Sequence, residues 1–145
     1  MSEKSDKIIE SKNLINLGIV TNGQSKVLMI RRRKKEKGKD GSVLEWAFPG
    51  GKQWSNETRE EAIKREILAE TGYDVRCIKQ IDLALHPQIP VIIIYHLCAL
   101  NSEKPIATPK EAHEVAEIKW VESKEIKKLI TTELNPKVAK ELGIE

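Results

Sequence analysis

The sequence predicts an α/β domain in which a mixed β-sheet is covered by helices. Three observations predict it. Short strand-like runs are separated by turn signals along the whole chain. One well-capped helical stretch, Thr58–Thr71, interrupts them in mid-chain. An isoleucine-rich run after Pro90 is apolar at almost every position, as a strand buried on both faces would be. The 145 residues suit one domain with one buried core, spanning 1–145.

In chain order, Met1–Lys12 is polar and charged and reads as a loose N-terminal tail. Leu14–Thr21 and Lys26–Arg32 are strands, with Asn22-Gly23 between them as a hairpin signal. In the second strand Val27, Met29 and Arg31 share one face, and Leu28, Ile30 and Arg32 the other. Arg33–Ser42, rich in lysine, glycine and acids, reads as a loop. Val43–Phe48 is a short strand, stopped by Pro49-Gly50-Gly51. The helix at Thr58–Thr71 has a capping box at Thr58 and Glu61, and Gly72 stops it. Val75–Leu85 and Pro90–Leu100 are strands, the second one central. Glu117–Val121 is another. Ser123 opens a helix through Ile130, and a short helix follows Pro136.

Composition removes several classes. Apolar content of 39% and charged content of 32% place the chain among globular proteins. A net charge of +3 and few aromatic residues argue against a nucleic-acid partner. The N-terminal stretch lacks an apolar signal-peptide core, and the longest apolar run, Ile89–Leu100, is broken by His96 and too short to cross a bilayer. The expectation is a cytoplasmic chain with no membrane partner. Cys77 and Cys98 form neither a disulfide framework nor a metal-type spacing and read as reduced thiols. His86, His96 and His113 also lack metal spacing.

The chemistry is concentrated between Gly51 and Tyr73. Glu66 and Glu70 lie four apart on the helix, so their carboxylates share a face. Like charges there disfavour an isolated helix and make sense beside a cation. Carboxylate oxygens suit a hard ion such as Mg²⁺, which also takes phosphate oxygens. Ala62, Ile63 and Ile67 form the apolar stripe, with the two glutamates at its rim. Gly50-Gly51 allows close backbone approach to a ligand, and a carbonyl there can join a metal shell.

This segment resembles the Nudix box, a strand–loop–helix–loop signature of the pattern G-x5-E-x7-R-E-U-x-E-E-x-G-U, where U is bulky and apolar. Gly51, Glu57, Arg65-Glu66-Ile67, Glu70 and Gly72-Tyr73 match it, and Trp46-Ala47-Phe48-Pro49-Gly50 resembles the usual approach. The resemblance implies an α/β/α sandwich with a mixed sheet between helices. It implies a metal-dependent hydrolase that cleaves the diphosphate linkage of a nucleoside diphosphate derivative, such as a nucleotide, a dinucleotide, a nucleotide sugar or ADP-ribose. Mg²⁺ or Mn²⁺ is the expected cofactor. By the same resemblance Glu70 matches a metal ligand and Glu66 a ligand or general base. Arg65 and Glu57 match positions that orient helix and loop, and the neighbourhood of Gly51 offers a carbonyl to metal. Arg31 resembles an arginine that touches substrate phosphate, with Arg32 the second candidate. Of the acids Glu111, Glu114 and Glu117 before Trp120, Glu114 is the best placed by resemblance to join the catalytic and metal set.

The chain departs from the pattern at position 69, an alanine where the family has a glutamate that normally binds metal. Three outcomes follow. Activity persists with Glu66, Glu70 and a later acid; activity is slow or needs high metal; or the protein binds a nucleotide without cleaving it, as a sensing module. Trp54 stands where an acid is usual. It reads as a packed loop residue or as a stacking surface for a base, and Trp46 reads as core or as a border of the substrate pocket. Isomerisation of isoprenoid diphosphates is a third class, and it expects a pocket cysteine that Cys77 and Cys98 are poorly placed to supply. The substrate's identity and the oligomeric state, a homodimer included, stay open.

Overall fold

The computed structural model describes residues 9–23, 25–38, 41, 43–86, 89–130 and 133–144. Among the described residues, seven strands and three α-helices follow one another as β1 (Glu10–Thr21), β2 (Lys26–Lys37), β3 (Val43–Ala47), β4 (Gly50–Trp54), α1 (Arg59–Thr71), β5 (Val75–Leu85), β6 (Ile92–Leu100), β7 (Val115–Glu122), α2 (Ile126–Leu129) and α3 (Pro136–Glu141). The main path through the sheet is β3-β2-β1-β6-β5, with β4 added against β1 and β7 against β2. β1 and β6 run parallel from Leu14↔Ile92 to Thr21↔Ala99, and the other pairs are antiparallel. The sheet is therefore mixed, as the sequence predicts.

Strand alternation sorts the core into two layers. Ile19, Val27, Met29 and Val121 face one way and pack against Ile126 of α2 and Val138 of α3. Val20, Leu28 and Cys98 face the other way and pack against Ile63 and Ile67 of α1. The expected split of β2, with Val27 and Met29 opposite Leu28, is what divides these layers. Helices on both faces make an α/β/α sandwich. β6 lies between β1 and β5, with Ile93, Ile94, His96 and Cys98 buried.

Several boundaries differ from the expectation. β1 starts at Glu10, not Leu14, because Glu10 pairs with Trp54, and Ile9 and Ser55 exchange hydrogen bonds. Residues 10–12 of the expected tail are thus sheet, while residues 1–8 lie outside the described residues. The Asn22-Gly23 turn is wider than two residues: Thr21 pairs with Val27, and Asn22 Oδ1 accepts from Lys26 N. β2 continues to Lys37 through what reads as loop, because Glu36 and Lys37 find partners in Leu44 and Val43. Gly50-Gly51 does not end strand structure but opens β4, whose partner β1 is remote in sequence. The helix expected from Ser123 to Ile130 is shorter, a 3₁₀ turn at Ser123–Glu125 followed by one turn of α2. Cys77 and Cys98 sit opposite each other on β5 and β6 with both thiols free and their Sγ atoms 3.9 Å apart.

Candidate functional site

α1 carries the central acids, and both of its ends are fixed by its own sequence. Thr58 accepts from Glu61 N while Glu61 returns a bond to Thr58 N, the predicted capping box. Gly72 closes the helix at φ 81°. Ala62, Ile63 and Ile67 are fully buried against the sheet. Glu66 and Glu70 lie beside them and are only 8% exposed each, so they stand deeper than a solvent rim.

Two glycines of β4 make room for these acids. Gly50 has φ 148°, and a Cβ there would lie 2.1 Å from the Asn16 carbonyl oxygen. Its N–H donates to Glu70 Oε1 at 2.8 Å. A Cβ on Gly51 would lie 2.8 Å from the Glu66 carboxyl carbon. Only glycine at both positions lets the strand pass directly beneath the carboxylates.

Arg65 ties this arrangement to the preceding loop. Its guanidinium donates to both Glu57 oxygens, to Glu66 Oε1 at 2.7 Å and to the Lys52 carbonyl at 3.0 Å. It also lies 3.7 Å from the centroid of the Trp54 ring. Burial opposes ionisation of Glu57, but the hydrogen bond and charge of Arg65, with the Trp54 N–H, hold its carboxyl below the usual range.

A third carboxylate reaches the site from a loop. Ligand oxygens of Glu66, Glu70 and Glu111 all lie within 4.8 Å of one another. Burial pushes the Glu70 carboxyl up to about 8, the charges of Glu66 and Glu111 add to this, and the Gly50 N–H and Arg32 oppose it. Burial likewise raises Glu66, with Arg65 opposing. Glu111 is raised to about 6, first by burial and then by Glu66. Each of these acids is thus harder to ionise because no positive charge fully offsets its desolvation and its neighbours. The C-terminal end of α1 adds its own partial negative charge. Three hard oxygen donors in a negative field fit a divalent cation such as Mg²⁺ or Mn²⁺.

The acids line a cavity of about 370 Å³. Its walls combine Trp46, Leu17, Leu44 and Ile93 with Arg32 and Lys52, so apolar surface lies beside positive charge. Of the residues expected from sequence, Glu66, Glu70, Gly51, Arg32, Trp46 and Glu114 line it. Arg65 stands behind Glu66. Arg31 does not line it: its guanidinium is engaged by Glu45 at 3.5 Å and Glu117 at 3.1 Å. Trp54 does not line it either, its ring being covered by Arg65. Glu114 lies at the cavity wall with its side chain 61% exposed, and Glu111 takes the place in the carboxylate group that resemblance suggests for Glu114.

Sequence reasoning also missed Asn16 and Gln53. Asn16 is fully buried; its Oδ1 meets His96 Nε2 at 2.9 Å and its Nδ2 donates to Gln53 Oε1 at 3.1 Å. Gln53 Nε2 in turn donates to the Glu57 carbonyl, linking the sheet interior to the loop that Arg65 holds. Since Asn16 Nδ2 is committed to Gln53, its Oδ1 accepts, and His96 carries its proton on Nε2. The available signal was an asparagine inside the apolar run Leu14–Val20.

Residues 15–142 match the NUDIX domain family. The chain belongs to that family. A putative 8-oxo-dGTP diphosphatase of Bacillus subtilis (strain 168) is 29% identical over 103 residues, which are 71% of this chain and 62% of that protein. An 8-oxo-dGTP diphosphatase of Proteus vulgaris is 46% identical over 41 residues, 28% of this chain and 37% of its own length. The chain thus spans less than two thirds of either curated relative. Among solved structures, a NUDIX hydrolase from Nitrosomonas europaea superposes with a TM-score of 0.65 at 16% identity, covering 90% of this chain and 85% of that one, a likeness of fold. Among the described residues, no helix of this NUDIX chain is long and apolar enough to cross a membrane.

Proposed function

We propose that this NUDIX protein is a metal-dependent hydrolase that cleaves the diphosphate linkage of a nucleoside diphosphate derivative in the cavity beside α1. Convergence of three carboxylates at the wall of a cavity that also holds Arg32 and Trp46 supports this reading most directly. Glu66 and Glu70 would hold Mg²⁺ or Mn²⁺. Such an ion, when bound, neutralises phosphate oxygens and lowers the pKa of a coordinated water.

The chain's own groups perform the rest. Arg65 fixes Glu66 in one rotamer, and the Gly50 N–H fixes Glu70. Glu66, held by Arg65 at the cavity wall, would be placed to accept the proton of an attacking water through an oxygen that the ion leaves open. Arg32 supplies a guanidinium for a phosphate oxygen, and its partner Glu36, at 3.9 Å, holds it only weakly. Trp46 with Leu17 and Ile93 offers an apolar wall against which a base or sugar packs, excluding water from the phosphates.

The test is phosphate release, coupled to a phosphatase, from a panel of 8-oxo-dGTP, ADP-ribose, nucleotide sugars and dinucleotides, with Mg²⁺, with Mn²⁺ and with chelator. Metal-dependent release from one class is the expected result. Glu70→Gln should lower that turnover about 100-fold or more. Silence across the panel, with nucleotide binding still visible as a thermal shift, would replace the hydrolase by a sensing module, the outcome that Ala69 makes worth separating.

A further inference from the structure

The chain has two cysteines, and the sheet register sets them directly against each other. Cys77 of β5 and Cys98 of β6 are Cα partners in an antiparallel pair, so their side chains leave the same face of the sheet. Their Sγ atoms are in contact at 3.9 Å. Opposed residues of antiparallel strands have Cα atoms about 4.5–5.5 Å apart. That lies within the range of about 4.4–6.8 Å over which a disulfide closes without moving the backbone. Closure therefore asks for side-chain rotation rather than strand movement. β5 is also the strand best able to adjust. It is a sheet edge that pairs with β6 alone among the described strands, and its register slips between Cys77 and Lys79, where a bulge breaks the regular ladder.

We infer that Cys77 and Cys98 form a reversible oxidation site, in which a hydroperoxide oxidises Cys77 and Cys98 then closes a cross-strand disulfide. The two thiols are unequal in the way this needs. Cys77 is half-buried and Cys98 fully buried, so solvent meets Cys77 first. A hydrogen bond from the Cys98 thiol holds Cys77 below the usual thiol range, against burial and the charge of Glu60. The same contact and burial push Cys98 up. Cys77 is thus the thiolate of the pair. With hydrogen peroxide, this thiolate attacks one oxygen, the O–O bond breaks, and the departing hydroxide takes up the Cys77 proton as water. Cys77 is left as a sulfenic acid. The Cys98 sulfur then attacks the Cys77 sulfur, the S–O bond breaks, and the oxygen leaves with the Cys98 proton as a second water. The two sulfurs are oxidised to one disulfide and the peroxide is reduced to water. Neither thiol lines the cavity beside α1, so this chemistry is separate from the hydrolysis proposed above.

The test treats the reduced full chain with hydrogen peroxide in chelator, counts free thiols in denaturant and follows the products by mass spectrometry. Both thiols should disappear together. The chain should become lighter by two hydrogens and yield a linked Cys77–Cys98 peptide pair, and dithiothreitol should restore both thiols. In C98S the Cys77 sulfenic acid should accumulate and be captured by dimedone. In C77S the buried Cys98 should oxidise about tenfold more slowly, or slower still, than Cys77 does in C98S. Melting under reducing conditions checks that each variant is folded, and the wild-type result stands without them. Thiols that survive peroxide overturn the inference. So does sulfinic acid at Cys77 with Cys98 still reduced, a disulfide formed only between two chains, or a Cys98 that reacts as fast alone as Cys77 does.

Discussion

α1 with its lead-in strand β4, and the loop from residue 101 to 114, both deliver acids to one cavity, by opposite means. In α1 the separation of Glu66 and Glu70 is fixed by the helical repeat, and the elements that support it, Thr58, Glu61, Arg65 and Gly72, are close in sequence. The loop has no repeat. Its geometry comes from hydrogen bonds to Ala69, Gly72 and Arg33, all remote in sequence. The helix half is held by local chemistry and the loop half by docking, so the two should fail differently when perturbed.

The largest effect is expected in the first half, at Gly50. Gly50→Ala places a side chain 2.1 Å from the Asn16 carbonyl at φ 148°. Backbone strain and displacement should cost about 3 kcal/mol, read as a drop in melting temperature of roughly 6–12 °C. Turnover should fall with it, since the Glu70 hydrogen bond moves. Melting within 2 °C of wild type would show that β4 tolerates a shift, and would remove Gly50 from the features that define the site.

The junction between the halves is next. In Gly72→Ala the new Cβ would lie 2.2 Å from the Ala107 carbonyl oxygen at φ 81°. The expected cost is about 2 kcal/mol, and the loop should be the part that gives way. Hydrogen exchange at the amides of Ile106, Ala107 and Glu111 should quicken much more than exchange inside α1. Equal loss of protection in both would show that helix and loop open as one unit, and the contrast between them would be wrong.

A further effect is electrostatic and requires no substitution. Glu70 has its pKa raised to about 8, and Glu111 to about 6, against a usual carboxylate value near 4.5. Between those values the folded chain binds more protons than the unfolded chain, so stability falls as pH rises. Without divalent metal the melting temperature should therefore decline from pH 5 to pH 8, and adding Mn²⁺ at pH 8 should recover it. A flat profile in chelator would mean that the cluster is better solvated than its burial indicates.

Legibility in the sequence divides along the same line. The capping box, the Gly72 stop, the pairing of Glu66 with Glu70 and the two faces of β2 are all readable because each depends on neighbours within a few residues. Arg31 against Arg32 was not decidable. Both sit in one strand, and what separates them is that Glu45 and Glu117, from other strands, engage the Arg31 guanidinium. Trp54 reads from sequence as a packed loop residue or as a stacking surface, and the Arg65 guanidinium, from a helix eleven residues on, packs over its ring. Glu111 and Glu114 are three residues apart on a chain with no regular repeat, so spacing could not choose between them.

By itself the sequence determined the order of elements apart from β4, the mixed sheet and a helix whose acids share one face, since periodicity and capping act over a single turn or strand. The tertiary structure decided that β4 joins β1, that β2 runs on to Lys37, that Asn16 links the sheet interior to the Arg65 loop, and that Glu111 completes the carboxylate group. Each of these depends on a hydrogen bond or clash between segments remote in sequence, and a linear pattern carries no record of which distant backbone a residue will meet.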